Sequence, residues 1–456
     1  MGFSKSLRQS VRVPANYPEK PRRTLLRRHK NEINEFKETI MKNISAVVAL
    51  LAIFATLGFA QEGAVPKGVP HLDHVFLIMM ENHGYNQILK NPNAPFINQY
   101  AQSANLATNY FAVAHPSLTN YLEVVGGSNF GVHSDNPPDW HDRTCATNLS
   151  TGIPNTDNPP SPNICPISGS GTDAATPVLD CTNEVTGPPC EINIDGKASY
   201  PAVSTTLGIT IADQLVAAGK TWKTYQENLP ITGPDLVNYS DGNFTNNTNF
   251  AKIKPVLNPP LSSSDIVQLY ASKHNPFVYF QDIQEGGNPL NSYANISGFD
   301  GAGGLWGDLG SGNVPNFSYI VPNQCNDQHG RGNGTAFCNY DPNDNGTKAG
   351  LNPALILLGD QAVQKLVAAI HGSPVWTKGH NAIVVIWDEN DYSVQPIINQ
   401  VVAIVDTNYG IHGQQSSQFY THFSLLRSIE GGFGLPCLNH ACDSNTNTIS
   451  DLLAEP

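Results

Sequence analysis

At 456 residues, 40% hydrophobic and only 14% charged, the chain can bury one large core or two ordinary ones, and its composition excludes an intrinsically disordered protein. The first sixty residues hold 11 of the 25 basic and 4 of the 38 acidic residues. The rest of the chain carries 14 basic and 34 acidic residues, a formal charge of −20, which excludes nucleic acid and anionic membrane surfaces as partners held by charge.

Residues 41–60 read MKNISAVVALLAIFATLGFA. A short basic start, an apolar run and small residues at Gly58 and Ala60 form the secretory signal pattern, with cleavage expected after Ala60. Such signals stand at the start of a chain, and Met41 stands where a start belongs. Residues 1–40 therefore read as a mis-assigned upstream extension, and 61–456 as the mature, exported chain, periplasmic or extracellular. The alternative is a basic cytoplasmic tail with a signal anchor, for which the run is marginal against the ~20 residues a span needs. No stable membrane insertion of the mature chain is expected.

Val75–Met80 is a continuous apolar stretch, the pattern of a strand buried on both faces of a parallel sheet, and it ends at Glu81-Asn82-His83. His115-Pro116-Ser117 then precedes an apolar helical segment closing at Gly126-Gly127, with Ser117 the expected N-cap. Residues 130–200 are rich in Pro, Asn, Ser, Thr and Gly and hold four cysteines, which predicts a disulfide-tied loop insertion over the core. Helical periodicity returns at Thr206–Ala218, Pro353–Ile370 and Phe423–Ile429, with His422 opening the last. Pro276–Phe280, Tyr319–Val321, Ile383–Trp387 and Val401–Val405 are further expected strands. Strands alternating with helices predict an α/β sheet, whose ligands bind beyond the carboxyl ends of the strands.

All eight cysteines lie beyond the signal segment, and an even count in an exported chain implies disulfides. Sequence neighbours suggest Cys145 with Cys165, Cys181 with Cys190, Cys325 with Cys338, and Cys437 with Cys442, although eight cysteines allow roughly a hundred connectivities. No CxxC pair points to a thiolate metal site.

The chemistry gathers at the strand ends. Ile383–Trp387 ends at Asp388-Glu389-Asn390-Asp391, as Val75–Met80 ends at Glu81-Asn82. Hard oxygen ligands at two strand ends suit a divalent cation, whereas any one of these acids alone reads as a solvated loop residue. Ser117 sits where a helix N-terminus favours an anion, and a cation would make its hydroxyl a nucleophile; on local sequence alone it is a plain cap. Asn323, Asp327 and His329 come after Tyr319–Val321 as a third group at a strand end. His422, opening a helix, is a candidate hydrogen-bond donor to phosphate or general acid, although a lone histidine is more often structural.

Seven colinear segments carry a resemblance: MMENHGYNQIL (79–89), AHPSLTNYLEVVGGS (114–128), TWKTYQENLP (221–230), KHNPFVYFQDI (273–283), SYIVPNQCNDQHG (318–330), IVVIWDEND (383–391) and THFSLLRSIEGGFGLPCLNHA (421–441). Together they resemble the bacterial and fungal phosphoesterase family of acid phosphatases and non-haemolytic phospholipases C, within the alkaline phosphatase superfamily. The resemblance implies an alkaline phosphatase-like, mostly parallel sheet flanked by helices. It implies that Glu81, Asn82, Asp388 and Glu389 hold a divalent metal, with Ser117 as a further ligand and the nucleophile of a phosphoseryl mechanism. His329 and His422 would touch the phosphoryl group or protonate the leaving group, and Asn323 with Asp327 would form a possible second metal cluster. Phospholipase relatives tend to use threonine and to add a C-terminal β domain. Ser117, and an end some fifteen residues past the last motif, place the chain nearer the acid phosphatases. A small phosphate ester is the expected substrate, hydrolysed faster than phosphatidylcholine. A phospholipase C or other phosphodiesterase is the alternative, and a non-catalytic binding protein on the same fold is the competing class.

Overall fold

A computed structural model describes residues 62–130, 208–229, 269–330, 338–343, 345–391 and 399–455, with four two-residue strand segments between 146 and 192. The expectations for residues 1–60, and nearly all of those for 130–200 with its four cysteines, lie outside the described residues.

The centre of the sheet is set by burial on both faces. Strand β1 (His74–Met80) is apolar from Val75 onward and fully buried there, as is β6 (Asn381–Trp387). A strand with no polar face must lie inside a sheet covered on both sides. Between them in sequence come β2 (Asn105–Ala107), β3 (Trp222–Gln226), β4 (Ile296–Gly298) and β5 (Phe317–Val321), and β7 (Ala403–Thr407) and β8 (Gln415–Ser416) lie further along. The eight form one sheet in the order β8-β2-β7-β6-β1-β5-β3-β4. β1 runs parallel to both neighbours, with Val75 opposite Phe317 on one side and His74 opposite Asn381 on the other. Only β7 runs against the rest, antiparallel to β6 and β2. The expected strands Tyr319–Val321, Ile383–Trp387 and Val401–Val405 correspond to β5, β6 and β7, the last shifted two residues downstream.

Helices α1 (Pro95–Ser103), α2 (Ser117–Gly126), α3 (Ile211–Ala217), α4 (Leu305–Ser311), α5 (Pro353–His371) and α6 (His422–Phe433) flank this sheet. α2 packs on α6, and α1 on α5. Asn352 starts α5 by accepting from the backbone N–H groups of Ala354 and Leu355, and α2 ends at Gly127, whose φ is 69° and where a Cβ would clash with the Leu438 carbonyl oxygen. Among the described residues α5 alone is long and apolar enough to cross a membrane. Its buried Asp360, however, receives the N–H of Ile97 at 2.7 Å and of Phe96 at 3.2 Å. That carboxylate caps the first turn of α1, which makes α5 a docked core helix.

Three local expectations need correction. Pro276–Phe280 is not a strand: Ser272–His274 and Pro276–Tyr279 are buried 3₁₀ turns. A short apolar run suits either form, and a proline without an N–H disfavours a central ladder. The helix expected at Thr206–Ala218 begins at Ile211, because Thr210 caps it by accepting from Ala212 N–H. Ser117 is the first residue of α2, not its cap; Pro116 holds the cap position without any side-chain bond. The Ser117 hydroxyl is thereby left for other partners. The disulfides Cys325–Cys338 and Cys437–Cys442 are formed as expected.

Candidate active site

Three carboxylates arrive at one point because two parallel neighbours end together. Met80 lies opposite Trp387 in the register, so Glu81 and the pair Asp388-Glu389 leave the sheet side by side. The turn after β1 is held by Asn82, at φ 56°, a left-handed conformation that asparagine tolerates. Its N–H donates to Asp388 Oδ1 at 3.0 Å. α2 then delivers Ser117 between them. Its Oγ lies 3.1 Å from Glu81 Oε2 and 3.3 Å from Glu389 Oε1, and the residue is buried.

The carboxylates are pinned from behind. Asn120, one turn along α2, accepts from the N–H groups of Val113 and Ala114 and donates to Glu389 Oε2 at 3.1 Å. His115 Nδ1 stands 2.8 Å from the same oxygen. Glu81 Oε1 pairs with His274 Nε2 at 2.9 Å, and His274 Nδ1 lies 3.2 Å from Asp327 Oδ2. Tyr121 stacks flat on that imidazole, with centroids 5.2 Å apart. His274 is therefore an imidazolium between two carboxylates. Burial alone would lower its pKa, but the charge of Glu81 and the hydrogen bonds to Asp327 and Glu81 raise it to about 9. Burial would conversely raise Glu81, yet the charge and hydrogen bond of His274, with Lys273 behind it, hold that carboxyl well below the usual range. Asp327 is pushed by burial up to about 6, against the pull of His274.

Asp388 is different. Burial, then the charges of Glu81 and Glu389, raise its pKa well above the ordinary value. Its Oδ2 is buried and, among the described residues, has no hydrogen-bond partner. An orphaned carboxylate oxygen beside two further carboxylates is an excess of buried negative charge, the condition that a divalent cation relieves. Glu81, His274 and His329 also bring ligand atoms within 4.8 Å of one another. In that set, however, both His274 nitrogens already face carboxylates and His329 Nε2 faces Lys273. The oxygen set of Glu81, Asn82, Ser117, Asp388 and Glu389 suits a hard cation better.

The remaining expected residues separate. His329 reaches the site: its Nδ1–H donates to the Gly330 carbonyl at 2.8 Å, and its Nε2 accepts from Lys273 Nζ at 3.1 Å. Burial first, then the charge of Lys273, holds it well below the usual imidazole range. His422 does not face the cleft. It lies beneath Asp388, donating from Nε2 to that residue's carbonyl at 2.7 Å and accepting at Nδ1 from Tyr110 OH at 3.0 Å. Burial lowers its pKa to about 4. Both ring nitrogens are used, so the structure gives it a supporting position in place of the acid role expected from its helix N-terminus. Asp327 and Asn323 do not form a second cluster. Asp327 orients His274 and accepts from His329 N–H. Asn323 Oδ1 is taken by the N–H groups of Cys325 and Asn326, which shapes the loop.

A cleft of about 290 Å³ opens over the site, lined by Asn82, Ser117, Lys273, His329, Tyr340 and Glu389 among others. Lys273 and His274 are not among the residues that the sequence singles out, although both lie in the segment KHNPFVYFQDI. Their only local signal is a paired cation and imidazole opening an apolar run whose composition suits a strand.

The phosphoesterase family model matches residues 87–339. The chain is similar to a phosphatidylinositol-3-phosphatase of Mycobacterium tuberculosis, 22% identical over 89% of this chain and 93% of that protein. It is similar to an acid phosphatase of Aspergillus fumigatus, 22% identical over 81% of this chain, and spans only 57% of that longer enzyme. A solved structure of a protein in the alkaline phosphatase superfamily from Vibrio parahaemolyticus superposes with a TM-score of 0.36 at 11% identity, over 82% of this chain and 72% of that one.

Proposed function

The chain belongs to the phosphoesterase family and is a hydrolase of phosphoric esters, and we propose that it is an exported, metal-dependent phosphomonoesterase acting through a phosphoseryl intermediate on Ser117. One observation carries this reading: the Ser117 hydroxyl lies between Glu81 and Glu389, at the paired strand ends that also carry Asp388. A divalent cation held by Glu81, Asn82, Ser117, Asp388 and Glu389 would supply the positive charge that polarises a phosphoryl oxygen and lowers the hydroxyl's pKa.

The chain's own groups divide the remaining work. Ser117 Oγ attacks phosphorus and gives its proton to the carboxylate it touches, Glu81 or Glu389. His115 and Asn120 hold Glu389, and His274 holds Glu81, so both stay aimed at the hydroxyl. Lys273 and His329 share a proton across 3.1 Å. Facing the cleft, this pair stabilises the transferring phosphoryl group and protonates the departing oxygen; in the second half it takes the proton of the attacking water. The names of the relatives, an acid phosphatase and a phosphatidylinositol-3-phosphatase, support monoesters over diesters. The signal pattern at 41–60 supports export and a mature chain beginning near Gln61.

The test sets the purified chain against a phosphomonoester, a phosphodiester and dispersed short-chain phosphatidylcholine, with and without chelator. The monoester is expected to be cleaved fastest, chelation to stop cleavage, and a divalent cation to restore it. Preference for the diester or the lipid overturns the monoester reading, and chelator-insensitive turnover overturns the metal.

A further inference from the structure

Tyr340 stands at the mouth of the cleft with half of its surface exposed. An exposed tyrosine on a loop ordinarily moves freely. The backbone on either side of this one is clamped. Cys338, buried, is bonded to Cys325 in the loop that carries Asp327 and His329. The Asn339 carbonyl accepts from Asn352 Nδ2 at 3.0 Å. Asp341 pairs with His83 Nε2 at 3.0 Å and accepts from the Asn352 N–H at 2.6 Å. The backbone that carries the ring is thus tied to the loops after β1 and β5 and to the start of α5. It stands edge-on to His329, 6.0 Å between centroids.

An aromatic face on a fixed backbone binds flat apolar groups at a lower ordering cost than one on a free loop. Its position beside His329 is beside the group that faces the departing oxygen. The neighbouring Asp391 carboxylate, which shares the mouth, repels a leaving group that is itself a polyanion. We propose that Tyr340 is the specificity-determining wall of the cleft, and that it selects esters whose phosphate is attached to a flat, uncharged ring: aryl phosphomonoesters. The inference rests on the reading of Ser117 as the reacting centre.

Binding tests it apart from catalysis. Phenylphosphonate and methylphosphonate carry the same anion with and without a ring, and neither is hydrolysed. Calorimetry on the full chain should show phenylphosphonate binding more tightly. Tyr340→Ala should weaken it by about tenfold while leaving methylphosphonate unchanged, and Tyr340→Phe should keep the wild-type ratio. With substrates, Tyr340→Ala should raise KM for phenyl phosphate with kcat held, and leave glycerol phosphate unaffected. Equal affinity for the two phosphonates, or an equal loss of both in Tyr340→Ala, overturns the inference. The expected binding ratio without cleavage of any ester overturns the Ser117 mechanism and leaves Tyr340 standing. Cleavage with an unchanged phenyl-to-glycerol ratio in Tyr340→Ala overturns Tyr340 alone.

Discussion

Ser117→Ala removes one hydroxyl and little else. As a cap the residue contributes nothing, since Pro116 occupies that position, and alanine in the first turn costs no helix propensity. What is lost is one donor to a charged acceptor, worth ~1.5–3 kcal/mol. The loss is softened because Glu389 Oε2 keeps Asn120 and His115 and Glu81 Oε1 keeps His274. The net cost is about 1–2 kcal/mol, a few degrees in Tm. Such a loss leaves the folded population essentially whole. Turnover should nevertheless fall by at least about a thousandfold, or ~4 kcal/mol in the barrier, because no other group replaces the nucleophile. Phosphate release measured beside a thermal melt separates the two effects. Acid quenching with a labelled ester should trap phosphate on the wild-type chain and none on the variant. Retention of more than about a tenth of wild-type turnover would refute the covalent mechanism.

Asp388→Asn keeps the acceptor for Asn82 N–H but removes the charge; the metal-free protein should melt no lower, while metal affinity, read as the melting shift on titrating Mg2+, Ca2+ or Zn2+, should drop at least ~10-fold. A wild-type shift would count against the oxygen site. His422→Gln can still donate to the Asp388 carbonyl, so turnover should fall less than about tenfold and the pH profile of kcat should keep its shape; loss of a limb of that profile would restore His422 as a proton donor. Glu430 is buried, with its pKa raised well above the ordinary value by burial, against the hydrogen bond from Leu438 N–H and the charge of Arg427. Because its folded pKa lies above the unfolded one, the wild type is favoured below about pH 4.5 and loses stability as pH rises toward the folded value. Glu430→Gln should therefore gain in Tm over the wild type from pH 5 to pH 8, and a constant difference across that range would contradict the assignment.

The parts of the site visible in the sequence are those attached to doubly buried strands. A run such as Val75–Met80 has one structural meaning once acids end it, so Glu81 and Asp388-Glu389 can be placed at one sheet edge. Ser117 is legible as a helix start, but the partner of its hydroxyl is not, since that depends on α2 arriving across the end of β1. His274 is hidden because Pro276–Phe280 is apolar for burial in a turn, not for a strand, and periodicity over five residues does not distinguish them. Tyr340 owes its place to a disulfide and to the His83–Asp341 pair, both contacts between separate segments that no local pattern records. His422 shows the reverse: the correct local reading, a histidine opening a helix, with its ring turned toward the carbonyl beneath the site.

The register of β1 also bears on how the molecule is made. Val75 waits for Phe317, and His74 for Asn381, each more than half the chain away. Until those segments exist this apolar strand has neither of its neighbours, and HVFLIMM is the kind of uncharged stretch that pairs with copies of itself. Assembly of the sheet therefore comes late, after a large loop has closed, which makes folding slow. Refolding from denaturant should lose yield steeply with protein concentration, and a chain stopped before residue 381 should be captured by chaperones rather than accumulate as a smaller folded unit.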